Sequence, residues 1–221
     1  MREAPRDHRG AKDQALIRDG YKCVVTGIYD AMAEVDDTTA MDGTVHTELA
    51  HILPESTCFN VSDTSTSSPE EKDYSASILA VLQRFGYDVE KVNGPKVHSL
   101  YNVMTMGKDA LDAFDRLEMW FESTGVENCY RVQTTRRIHG VPREVTFTSP
   151  DPLVLPFPSQ ELLALHAACA KVAHLSGASE YLDNLDCDAD ELDVLAADGS
   201  SFAVLTHAIV KSKARPVSTA A

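Results

Sequence analysis

The stretch Thr47-Glu48-Leu49-Ala50-His51-Ile52-Leu53-Pro54 decides how this chain of 221 residues is read. An apolar run closed by a histidine, with a proline three residues later, reads as a strand region over Thr44 to Leu53 that carries His51 near its end. Working outward, Arg18-Asp19-Gly20-Tyr21-Lys22-Cys23-Val24-Val25-Thr26-Gly27 stands ahead of it. Ala11 to Arg18 reads as a short helix that Gly20 ends in a left-handed conformation. Tyr21 to Thr26 has the β-branched character of a strand, and Thr26-Gly27 starts a turn. Downstream, Asn102 precedes a helix over Lys108 to Phe114, with Leu111 and Phe114 on one side.

A strand ending in histidine, a later asparagine, a following helix and this lead-in together resemble the HNH endonuclease domain of a fungal protein family, part of the ββα-metal superfamily. The resemblance implies an α+β fold: a ββα-metal core with an insertion at about residues 58–97, a small β extension and C-terminal helices. It implies a nuclease-like domain over residues 11–149, then a linker, a helical segment and a disordered tail over 150–221. In such a site a histidine accepts a proton from water while one divalent cation stabilises the leaving oxygen and the charge on phosphorus. The catalytic positions it implies are His51, as general base, and Asn102, which orients the hairpin or the histidine. The implied activity is hydrolysis of nucleic-acid phosphodiester bonds, with DNA as partner and Mg²⁺, Mn²⁺ or Zn²⁺ as the ion. The alternative is a binding or structural module that keeps the fold and lacks the activity.

The ligands depart from the family pattern. His-x-x-Phe-Asp is usual in the helix after the asparagine, and counting back from Phe114-Asp115 puts Leu111 where the imidazole belongs. Ala50 stands where related nucleases often have Asp or His. Neither ligates a cation. Mg²⁺ prefers oxygen donors, so the metal candidates become Glu48, which fits the fungal pattern, and Asp115, one helical turn after Leu111. His98, four residues before Asn102, is a further imidazole, but Gly94-Pro95 beside it reads as a loop and His98 as a surface residue.

A net charge of −14 opposes binding to phosphate, which needs clustered Lys and Arg. Eight of the acids lie between Ser176 and Ser200, where there is no base, so the acidity is concentrated away from the motif. Arg136-Arg137, with Arg131 and Arg143 near, is the one basic patch with a phosphate-binding role to offer. The five scattered cysteines make no CxxC pair and no disulfide framework. The first eight residues lack the hydrophobic core of a secretory signal, which points to an intracellular, nuclear or cytoplasmic chain.

The remaining elements follow from spacing. Residues 1–10 read as frayed. A helix after Pro69 carries the stripe Ile78, Leu82 and Phe85, and Gly86 stops it. Strands are expected over Glu118–Ser123, Cys129–Thr135 and Arg143–Thr148, helices over Gln160–Leu175 and Ser200–Lys211. Phe114, Trp120, Phe121 and Tyr130 read as core rather than as a base-stacking platform, and His166 as packing or surface polarity.

Overall fold

The computed structural model describes residues 5, 7–34, 43–55, 69–84, 86–88, 91–92, 94–178, 181, 184, 202, 204–206 and 209. The turn-rich stretch from Asp36 as far as residue 42, the Ser/Thr-rich segment from Asn60 to Ser68, Cys58, Phe85, Cys187 and the tail from Ser212 lie outside them. So do most of the acidic segment and much of the last expected helix, of which Phe202, Val204, Leu205, Thr206 and Ile209 are described as helical. The chain divides into two compact units, Met1–Ala170 and Lys171–Ala221. No helix among the described residues is long and apolar enough to cross a membrane.

Helix α1 (His8–Arg18) starts at Asp7, whose Oδ1 accepts the Gly10 N–H at 2.7 Å and so satisfies one of the first-turn donors. The frayed start expected over residues 1–10 therefore gives way to a capped helix by His8. The helix ends at Asp19, and both Gly20 and Tyr21 take positive φ, 66° and 57°. Tyr21 to Thr26 is not a strand. Cys23 N–H bonds to Ile28 O and Gly27 N–H to Cys23 O, a tight reversal that Gly27 permits at φ 71°. The β-branched residues are explained by burial instead: Val25 is 2% exposed, and Val24 donates its N–H to Thr105 O.

The expected strand over Thr44–Leu53 is broken at His46. Strand β1 (Tyr29–Asp30) pairs in parallel with β2 (Thr44–Val45), and β3 (Thr47–His51) begins after the break. The buried Asp30 carboxylate takes both Thr47 N–H, at 2.9 Å, and the Thr47 hydroxyl, which pins the start of β3. Strand β3 runs antiparallel to β4 (Val103–Gly107), with Thr47 opposite Gly107, Leu49 opposite Thr105 and His51 opposite Val103. Helix α2 (Pro69–Arg84) and a 3₁₀ turn (Gly94–His98) lie in the long connection between the two strands. Helix α3 (Lys108–Asp115) follows β4 without a loop. Leu117, at φ 61°, ends α3, with Glu118 N–H bonded back to Ala113 O.

Alternation gives the β3–β4 pair two unlike faces. Leu49 and Val103 face Ala11 and Ala15 of α1 in one apolar cluster. Ala50, Met104 and Met106 face Ala110, Ala113 and Phe114 of α3 in the larger one. Three antiparallel strands, β5 (Met119–Ser123), β6 (Cys129–Thr134) and β7 (Glu144–Thr146), agree with the sequence to within two residues at every end. They bring Phe121, Tyr130 and Phe147 into the same large cluster as Phe114, so those aromatics are core. Trp120 is only half-buried. Helix α4 (Gln160–Leu175) lays Leu162, Leu163 and Ala167 inward, and His166 stacks on Phe114 with ring centroids 3.7 Å apart. His166 Nε2 lies 3.1 Å from Phe114 O, which fits the packing role expected of it.

One ion pair joins these pieces. Arg18 and Asp19 have side chains 0% and 2% exposed, with Arg18 Nε 2.7 Å from Asp19 Oδ1 and Nη2 3.0 Å from Oδ2. The guanidinium also donates to Leu100 O, Val103 O and Pro156 O, which uses all five of its N–H groups. Asp19 Oδ2 accepts Thr105 N–H at 2.9 Å. Removing one partner of such a pair leaves a buried charge, at a cost of about 3–5 kcal/mol. Arg18→Met is expected to lose stability of that order by urea denaturation, while exposed Arg137→Ala stays within about 0.5 kcal/mol. A loss below ~1 kcal/mol for Arg18→Met would mean that the hub is not what joins α1 to β4.

Candidate functional site

His51 closes β3 on the face that meets α1, and there it joins two other histidines. His51 Nε2 lies 3.1 Å from Nδ1 of His98, the last residue of the 3₁₀ turn. The His8 ring, at the first residue of α1, stands 5.9 Å from that of His51 and 6.3 Å from that of His98. On its other side His98 Nε2 is 3.6 Å from Glu55 Oε1, an electrostatic contact rather than a hydrogen bond. His98 is thus not the surface histidine read from Gly94-Pro95: it is 6% exposed. The 3₁₀ turn folds Val97 inward, the residues just after it bury Leu100, and His98 is carried in between them.

Burial, then the neighbouring His98 and His8, drives the His51 imidazole down from 6.5 to about 3. Burial also lowers His98, although Glu55 and Asp7 pull the other way. At neutral pH His51 is therefore an uncharged imidazole and a feeble base. An efficient general base has a pKa near the operating pH.

Asn102 is fully buried and its side chain is committed to the backbone. Its Oδ1 accepts Leu53 N–H at 2.8 Å, and its Nδ2 donates to Leu53 O at 3.0 Å and Val97 O at 2.9 Å. The main chain adds Ile52 N–H to Asn102 O and Asn102 N–H to Ser99 O. The structure thus brings Asn102 beside the end of β3 as a clamp on the chain leaving that strand. With both amide hydrogens spent on carbonyls, it has none to donate to His51.

The expected metal ligands do not assemble. Glu48 is three residues from His51, so alternation turns it to the opposite face, where it is exposed. Leu111 packs on the apolar cluster of that same α3 face and does not look onto His51. Asp115, at the end of α3, is pushed up to about 6 by burial of its carboxyl and then by Asp112. The residue as a whole is exposed, so water screens part of that rise. Its surroundings still oppose the negative charge a cation would need. Among the described residues no group of three His, Cys, Asp or Glu side chains is placed to hold a metal ion. The donor set does not fit the divalent cation that the family chemistry requires.

The expected nucleic-acid residues are also occupied or scattered. Arg136 Nε donates to Glu118 Oε2 at 2.7 Å, and Arg131 stands 3.6 Å from Glu144. Arg137 is exposed. The residues that sequence reasoning left aside are His8, Glu55 and the Arg18–Asp19 pair. For His8 a signal was present, since Asp7 immediately before it is a preferred N-cap. Comparison of the chain with protein-family models, curated proteins and solved structures finds no match.

Asn102 offers a test of the clamp. Asn102→Ala orphans a buried N–H and two buried carbonyls, at an expected cost of about 2–4 kcal/mol by denaturant unfolding. Asn102→Asp should cost more, because it sets an acceptor against Leu53 O and Val97 O. Equal stability of all three proteins would remove Asn102 from its clamping role.

Proposed function

We propose that this chain is an HNH-type domain that keeps the strand-pair-and-helix scaffold as a binding or structural module and does not perform cation-dependent phosphodiester hydrolysis. The observation that carries this reading is the division of the β3–β4 pair. A one-cation mechanism needs the base and the cation on one phosphate. Here the α3 face packs Ala50, Met104, Met106 and Leu111 and leaves Glu48 exposed at its edge, while His51 belongs to the α1 face with Leu49 and Val103. Three further observations support it. His51 is a weak base because its imidazole is driven to about 3. Asn102 is spent on Leu53 and Val97. The net charge of −14 repels DNA, and Arg136 of the basic patch is tied to Glu118.

Incubation of the full chain with supercoiled plasmid and Mg²⁺, Mn²⁺ or Zn²⁺ tests this directly. Nicking should not exceed the buffer blank with any of the three ions, and His51→Ala should match the wild type. Cation-dependent cleavage that His51→Ala abolishes would overturn the proposal and restore the endonuclease reading.

A further inference from the structure

The imidazoles of His8, His51 and His98 come from three separate elements: the start of α1, the end of β3 and the end of the 3₁₀ turn. We propose that this trio is an acid-sensitive latch that holds the first turn of α1 against the end of β3 and the 3₁₀ turn and releases that turn of helix as the histidines take up protons. The inference concerns conformation, and it stands whether the domain binds or cuts.

The geometry limits how many protons the trio can hold. At 3.1 Å, His51 Nε2 and His98 Nδ1 have room for one hydrogen between them, donated by one ring and accepted by the other. One added proton is tolerable on His98, which can then donate to His51 through Nδ1 while Nε2 faces Glu55. A second proton sets N–H against N–H and cation against cation at that distance. His8, about one ring width away from both, adds a third charge to the same place. Two acids face the trio, Asp7 at the cap of α1 and Glu55 beyond β3, and both act on His98. For His51 the neighbouring influences are the other two histidines, and they oppose its charge. Lys96, on the 3₁₀ turn itself, is exposed.

The sign follows. Folded His51 titrates well below its ordinary 6.5, so the closed form binds fewer protons than an open one at any pH between those values. Closure is therefore strongest above ~6.5 and weakens as pH falls. Each imidazole that gains a proton on opening multiplies the opening constant by roughly ten per pH unit. The Asn102 clamp on Val97 O and the Arg18 contact with Leu100 O do not depend on these protons, so they keep the 3₁₀ turn in place and confine release to the first turn of α1.

Hydrogen exchange read by mass spectrometry, corrected for the intrinsic pH dependence, tests the latch in the full chain. Between pH 7.5 and 5.5, protection in peptides covering residues 8–12 should fall by at least about tenfold. Peptides from β5 and β6 should not change. In His51→Gln/His98→Gln the pH response of residues 8–12 should disappear. Unchanged protection in the wild type at pH 5.5, or the same response in the double variant, would overturn the proposal. Should the double variant fail to fold, proton NMR titration of the wild-type histidines decides it. The His51 ring titrating well below 6.5, with His98 also lowered, supports the latch, and ordinary independent titration of these two rings refutes it.

Discussion

The buried pair of Arg18 and Asp19 is the constraint on which the rest of the structure depends. It is made by consecutive residues at the end of one short helix, yet it fastens Leu100, Val103, Thr105 and Pro156. A guanidinium can be kept out of water only when its five donors all find acceptors, and here they do. Because Asp19 also holds Thr105 N–H, helix α1 cannot slide along β4 without breaking several bonds at once. With α1 fixed on that face, its first turn meets the end of β3, and His8 reaches His51 and His98.

That arrangement bears on function through the face it leaves to α3. A strand pair has two sides, and a residue and its neighbour point to opposite ones. Ala50 and His51 therefore address different environments, one sealed by methionines, alanines and Phe114, the other shared with α1. A nuclease of the kind the sequence resembles would need chemistry on both sides of that boundary to converge. In this chain the α3 side is packing, apart from exposed Glu48. The imidazole side is a contact among three elements, made by His8, His51 and His98.

Much of the scaffold could be read from the residues. Strand β3, the helix after Gly107, the three strands from Met119 to Thr146 and helix α4 all follow from local periodicity, which short-range sequence patterns record well. Tyr21 to Thr26 has strand-like residues without being a strand, because Val25 is buried and Val24 half-buried in a turn, and β-branching reports burial as much as extension. The site was legible only as a set of positions. His51 and Asn102 do lie together at the strand end, but whether an asparagine serves a ring or a backbone is fixed by contacts with Leu53 and Val97, far from it in one case. The burial of His98 is hidden for the same reason: Gly94-Pro95 announces a turn, and nothing local says that the turn folds against β3. For Glu48 the placement could be read directly, since an offset of three along a strand puts it opposite His51.

The most direct measurement is a two-dimensional NOE spectrum of the protein with its histidine rings and leucine methyls assigned. The account predicts cross-peaks from the His51 ring protons to the rings of His98 and His8, and none to the methyls of Leu111. Cross-peaks between His51 and Leu111, without those to His8 and His98, would place the imidazole on the α3 face and contradict it.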